Sequence, residues 1–230
     1  MDEKYPIIGI LGWKVGDEIF GVTSPYYTYA SYFGRPRIIS IEEEVDDRID
    51  VLILPGGADV NPERYGQSPK WNTSKPDLIK EFFDVHILPK YIEKGIPIFG
   101  ICRGIQTLAV HFGATLVQQM HHKTNSADDR SELIHQIELT SSTFKTEYES
   151  TYGNKNKIFV NSMHHQCVSA KDLPKDLEIL AMYAGKDAKP SIEVLRHKTL
   201  PIYGVQYHPE ELIIDSVGDF IMEKLLKIKK

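Results

Sequence analysis

Residues 97–113 read PIFGICRGIQTLAVHFG, and the fold is decided here. Pro97 to Cys102 is a short apolar run with the composition of a buried strand. Immediately after it, Ile105, Leu108, Ala109 and Phe112 recur at helical spacing, and the pattern closes on Gly113. A buried strand that runs straight into a helix is the unit of a parallel sheet covered by helices. Cys102 falls at the junction.

The same alternation extends outward. Further apolar runs lie at Pro6 to Leu11, Arg37 to Ile41 and Asp50 to Leu54. A helix is predicted to begin near Ser24 or Pro25, and another to run from about Lys75 to Lys94. The second has Pro76 where a first turn tolerates proline and Gly95 where a helix end favours glycine. Downstream, strands are predicted at Thr115 to Gln118, Gln136 to Leu139, Ile158 to Val160, Leu177 to Met182, Ile192 to Arg196 and Ile202 to Gln206. A final amphipathic helix is predicted from about Ile214 to Lys229. The pattern implies an α/β fold, a parallel sheet covered by helices, with no linker dividing residues 1–230. The polar stretch His121 to Leu133 reads as a mobile loop.

Composition narrows the function classes. The 230 residues are 41% hydrophobic and 26% charged, as in ordinary globular proteins. Lys plus Arg number 27 against 32 Asp plus Glu, a net charge of -5, so the broad basic footprint that nucleic acid requires is missing. Two cysteines, Cys102 and Cys167, cannot build a disulfide framework. The N-terminal MDEKYPIIGILGWK is acidic where a signal peptide would be basic. Apolar runs such as Ile96 to Gly104 fall far short of the ~20 residues of a membrane span. These features predict a cytoplasmic protein with reduced thiols, without membrane or nucleic-acid partners.

Cys102 sits where a thiol becomes a nucleophile: at the carboxyl end of a strand, facing the first turn of a helix, with Gly100 and Gly104 on either side. A lone cysteine is more often a small core hydrophobe, and Cys167, which has no glycine frame, is read that way. The G-x-C-x-G frame reverses the reading for Cys102. A nucleophilic thiol needs a base and an orienting acid, and GVQYHPEEL supplies His208 and Glu210 two residues apart, on one side of an extended segment. A surface turn is the plain alternative for HPE. The strand-ending Pro55-Gly56-Gly57 lets backbone approach a ligand and point an N–H at an oxyanion, with the Arg103 amide as second donor. His164 and His165, like His121 and His122, invite a metal reading. Adjacent residues on an extended segment point to opposite sides, however, and no H-x-x-x-H or paired C-x-x-C accompanies them, so no metal or other cofactor is expected.

Taken together, PGGADVNPERYG, GICRGIQTLAVHFGATLVQ, VNSMHHQ and GVQYHPE resemble, in order and spacing, class I glutamine amidotransferase-like proteins. More narrowly, the chain resembles the peptidase C26 branch, which includes γ-glutamyl-γ-aminobutyrate hydrolase. The resemblance spans roughly residues 5 to 228 and implies a three-layer α/β sandwich around a flavodoxin-like, mostly parallel central sheet with helices on both faces. It implies Cys102 as nucleophile, His208 as base and acid, Glu210 as orienting carboxylate, and Gly57 with Arg103 as oxyanion amides. Gly56, Gln106, His164 and His165 are the candidate substrate contacts, Gln106 standing near the bound glutamyl group by resemblance. The implied reaction is hydrolysis of a small γ-glutamyl amide. A glutaminase subunit that passes ammonia to a partner synthetase uses the same residues and stays open, as does a homo-oligomer. After Val117 the chain reads QQMHHKTN, where the branch leads one to expect an acidic residue soon after the first glutamine.

Overall fold

The computed structural model describes residues 5–15, 19–154, 157–183, 185, 190–212 and 216–228. Its first half runs β1 (Ile7–Leu11), β2 (Trp13–Val15), β3 (Ile19–Gly21), α1 (Ser24–Phe33), β4 (Arg35–Ile39), β5 (Val51–Leu54), α2 (Leu78–Phe82), α3 (Leu88–Glu93), β6 (Ile98–Ile101), α4 (Arg103–His111) and β7 (Leu116–Val117). Then follow β8 (His135–Leu139), α5 (Ser142–Tyr152), β9 (Ile158–Val160), β10 (Cys167–Val168), β11 (Leu177–Tyr183), β12 (Ile192–His197), β13 (Ile202–Val205) and α6 (Ser216–Ile228).

Nine strands form the central sheet in the order β4-β1-β5-β6-β13-β12-β11-β8-β9. β4, β1, β5, β6 and β13 pair in parallel, and antiparallel β12, β11, β8 and β9 extend that block. Successive side chains on a strand point to opposite faces, so β5 feeds both layers. Val51 and Ile53 belong to the core cluster that holds Tyr29 of α1, Phe144 of α5 and Ile221 of α6, whereas Leu52 and Leu54 belong to the cluster of Phe83, Tyr91 and Leu108 on the other side. The result is the α/β sandwich expected from the sequence. β6 and β13 lie at its centre, which puts Cys102 and the residues after Val205 side by side at the carboxyl edge.

Several boundaries differ for identifiable reasons. The helix expected over Lys75 to Lys94 starts at Leu78, because Asp77 caps it by accepting from the Ile79 and Lys80 amides; Pro76 precedes the cap. It is also interrupted by a π-turn over Phe83–Ile87. Pro89 has no N–H to give the Val85 carbonyl, and the wider turn absorbs the missing bond. Gly95 does close α3, at φ 67°. The strand expected at Arg37 to Ile41 begins two residues earlier, since Gly34 ends α1 and Arg35 bonds at once to the Pro6 carbonyl, 2.7 Å away. β7, inside the stretch Thr115 to Gln118, pairs with β10 in a ribbon outside the main sheet. α5 was not anticipated, although Phe144 and Tyr148 bury one face of it. Residues 214, 215 and 229 of the expected last helix lie outside the described residues.

The segment His121 to Leu133 carries no helix or strand, yet it is tied down rather than loose. The Asn125 amide donates to the Ser162 carbonyl at 2.7 Å, and the Ser162 amide donates to Asn125 Oδ1 at 2.6 Å. Just before it, buried Gln118 accepts from the Lys70 amide and the Thr73 hydroxyl and donates to Gln67 and Ser68.

Candidate active site

Cys102 has φ 53° and ψ −102°, the only non-glycine residue with positive φ among the described residues. Such backbone costs on the order of 1–3 kcal/mol and persists only where the surroundings impose it. Here β6 must end and α4 must begin within one residue. A Cβ on Gly100 would come within 2.6 Å of the Gly104 carbonyl carbon, so the two glycines allow strand and helix to cross that closely. The turn holds the thiol at the sheet edge.

The Glu210 carboxylate meets His208 Nδ1 at 2.6 Å. Pro209–Glu211 form a 3-10 turn, so the two side chains converge through that turn and not, as the sequence suggested, along an extended strand. Proline's fixed φ starts the turn, and the Glu211 amide closes it on the His208 carbonyl. Burial alone would lower the His208 pKa, but the Glu210 charge and the charge of the Cys102 sulfur, to which the imidazolium donates, outweigh it and raise the ring to about 10. Asn161 clamps this residue: Oδ1 accepts from the His208 amide and Nδ2 donates to the His208 carbonyl, both at 2.9 Å. From the sequence Asn161 was one polar residue among several; only the tertiary fold gives it this place.

Gly56 lies against the pair. A Cβ there would sit 2.9 Å from His208 Cε1 and 3.4 Å from Cys102 Cβ. Its N–H donates to the Tyr26 hydroxyl at 2.9 Å. Burial and the facing Glu210 carboxylate push the Tyr26 pKa well above its usual value, so the phenol stays protonated. On the other side, Lys80 Nζ donates to the Gly56 carbonyl and lies 4.1 Å from the Trp13 ring centroid. Lys80 is 1% exposed, and burial, followed by the Arg103 charge, lowers its pKa to about 7. The peptide unit is planar and trans, so fixing the Gly56 carbonyl also fixes the Gly57 N–H in the opposite direction. Gly57, at φ 146°, has backbone that a side chain rarely adopts. Lys80 was missed in the sequence because it lies on a helical turn with no motif around it.

The Arg103 side chain, 3% exposed, turns away into an ion network: its Nη2 is 2.7 Å from Glu81 and 2.8 Å from Asp84, and Arg64 joins Asp84 at 2.8 Å. Gln106 is buried. Its Nε2 donates to the Gln166 carbonyl at 3.1 Å and to Gln206 Oε1 at 3.2 Å, while Gln206 Nε2 faces Cys102 Sγ at 3.7 Å. Thus it reaches the thiol through Gln206. His164 and His165 do point to opposite sides. His165 pairs with Asp59 at 3.1 Å, joining its loop to the one after Gly57. His164 is buried, with Nδ1 bonded to the Gln166 carbonyl at 2.9 Å. Cys167 is buried too, and burial pushes its pKa up to about 12.

A buried cysteine on a strand-to-helix elbow, facing a His–Glu pair at the carboxyl edge of a flavodoxin-like sheet, is the arrangement of class I glutamine amidotransferase-like proteins. The comparisons are narrower: residues 32–210 match the Peptidase C26 family model, and the chain belongs to that family. It is 34% identical over 163 residues to the glutamine amidotransferase-like protein YvdE of Lactococcus lactis, covering 70% of this chain and 66% of that one, just under two thirds of its length. It is 32% identical over 209 residues to anthranilate synthase component 2 of Pseudomonas putida, covering 87% and 90%. Among solved structures, a chain of PurLQS from Thermotoga maritima superposes with a TM-score of 0.65 at 16% identity, covering 98% of this chain and all of that one, a likeness of fold.

Proposed function

We propose that the chain hydrolyses the amide bond of a small γ-glutamyl compound through a γ-glutamyl thioester. The Cys102 sulfur, its proton already held by the His208 imidazolium, attacks the γ-carbonyl carbon, and the Gly57 and Arg103 amides hold the oxyanion. The C–N bond then breaks as the imidazolium protonates the leaving amine. Water, deprotonated by the now neutral His208, attacks the thioester, and expulsion of the Cys102 sulfur releases glutamate and restores the starting pair with the proton on His208. Glu210 keeps the imidazole in one orientation and supports its charge. Gly56, Gln106 and His165 line the substrate side in this reading, and His164, buried with Nδ1 on the Gln166 carbonyl, stands behind them.

The observation that carries this reading is Lys80 on the Gly56 carbonyl. It fixes the peptide that bears the Gly57 donor from within the chain itself, which supports a self-contained hydrolase. The second reading, an ammonia-donating subunit, is favoured by the likeness to anthranilate synthase component 2. A screen of γ-glutamyl amides, glutamine included, with the purified chain alone and released glutamate as readout, separates the two. Turnover of a γ-glutamyl amide faster than glutamine supports the hydrolase. No turnover until a synthetase is added replaces it with the second reading.

A further inference from the structure

Three histidines that share no sequence motif meet behind the His208 loop. His122 comes from the segment after β7, His135 opens β8, and His164 follows β9. Their ring centroids lie 4.7, 4.7 and 5.9 Å apart, and one ring nitrogen from each falls within 4.8 Å of the other two. In each ring the other nitrogen is held from outside the cluster. His122 Nε2 lies 3.1 Å from Ser162 Oγ, His135 Nε2 lies 3.1 Å from the Lys123 carbonyl, and His164 Nδ1 lies 2.9 Å from the Gln166 carbonyl. Histidine ligands of transition metals are oriented in this way: an N–H bonded to a carbonyl or hydroxyl fixes the tautomer, and the opposite nitrogen presents its lone pair.

A second observation points to the same place. His164 Nε2, on a side chain 2% exposed, has no hydrogen-bond partner among the described residues, and neither has Oε2 of Glu193, which is fully buried on β12. Glu193 Oε1 is 4.0 Å from His164 Nε2. Glu193 Oε1 accepts from the Ser191 hydroxyl at 2.6 Å, which leaves Oε2 and His164 Nε2 as the buried polar atoms to be satisfied. A divalent cation among the rings satisfies them, and the carboxylate balances charge that three neutral ligands cannot.

We propose that His122, His135 and His164 bind one divalent transition-metal ion of the zinc type, with Glu193 as fourth ligand or charge partner. Imidazole nitrogen suits zinc, copper and nickel, and the absence of a carboxylate-rich shell disfavours magnesium and calcium. Zn–N bonds of about 2.1 Å put tetrahedral donors roughly 3.4 Å apart, so binding draws the rings together by about 1 Å. His122, only partly buried, is the entry side. The ion clamps the segment 118–134 onto the strand ends that carry Asn161 and His164. Its role is to hold that wall of the site, and no step of the thiol chemistry passes through it. The spacing rules that argued against a metal compared residues adjacent in sequence, whereas these ligands come from segments far apart in the chain.

The test uses the untagged full chain with Cys102→Ala, so that the thiol cannot supply a ligand, titrated with Zn(II) against a chromophoric chelator and with Co(II) by visible absorption. One equivalent should bind, with an intense tetrahedral cobalt spectrum. Adding His122→Gln or His164→Gln should weaken binding by roughly 100-fold or more, while His121→Gln leaves it unchanged. His122→Gln is the safer variant for folding, checked by circular dichroism. Three results would overturn the site: no stoichiometric binding, binding lost with Cys102→Ala alone, or full affinity in a folded His122→Gln chain.

Discussion

Replacing Lys80 by methionine removes one hydrogen bond and keeps nearly the whole side-chain volume. In the wild type, Nζ donates to the Gly56 carbonyl while the stem is buried beside Trp13. A hydrogen bond from an ionisable donor is worth about 1.5–3 kcal/mol, and without it the carbonyl has lost the partner that fixes its direction. Gly56 and Gly57 offer little steric resistance to rotation of the peptide between them. The bias toward the productive orientation therefore falls by about the same energy, which is roughly 10- to 150-fold in rate. That lies below the ~100- to 1,000-fold cost of deleting an oxyanion donor, as it should for a residue that positions one.

The loss should appear in kcat with KM little changed, measured by glutamate release at fixed pH. Stability supplies a control with a definite sign. Burial lowers the Lys80 pKa to about 7, so between pH 7 and the ordinary lysine value the unfolded chain holds more protons than the folded one, and stability rises with pH across that window. Methionine has no such term. Lys80→Met should therefore be at least as stable as wild type near neutral pH, with a flatter dependence from pH 7 upward in urea unfolding. If kcat stays within twofold of wild type while the protein is folded, Lys80 does not position the oxyanion peptide.

Three further outcomes are expected. Cys102→Gly should lose all turnover and gain stability, about 1 kcal/mol or ~2–4 °C in Tm, because glycine relieves the positive φ; an unchanged or lower Tm argues against stored strain at the elbow. Glu210→Gln removes the charge that keeps His208 near 10, so the basic limb of the kcat/KM profile should move to lower pH, and an unmoved limb would mean that it reports another group. The wild-type pair stabilises the fold fully below the unfolded histidine pKa of about 6.5 and less as pH rises through 10, a dependence the variant should lack. Asp84→Asn leaves the Arg64 and Arg103 guanidiniums short of a buried counter-charge and should cost about 3–5 kcal/mol by urea unfolding; a loss under ~1 kcal/mol would show that Glu81 suffices.

What was legible in the sequence was local. The strand–Cys–helix elbow is written in nine consecutive residues, Gly100 to Leu108, because its two constraints, apolar period and glycine clearance, act within a turn of the chain. His208 and Glu210 were paired for the same reason, though the 3-10 turn that joins them was not foreseen, since Pro209 can end a strand or open a turn. The π-turn was in principle readable from Pro89, whose missing N–H has to be absorbed somewhere. By contrast, the groups that aim the site are polar and distant in sequence: Asn161 on the His208 backbone, Lys80 on the Gly56 carbonyl, Gln106 reaching Cys102 through Gln206. Each would pass for a surface residue by type, and burial is what gives its hydrogen bonds consequence, because a misplaced partner leaves an unsatisfied group that water cannot reach. The histidines at 122, 135 and 164 are the extreme case. No two of them lie within ten residues of each other, so the only record of their meeting in the sequence is the register of the strands that bring them together.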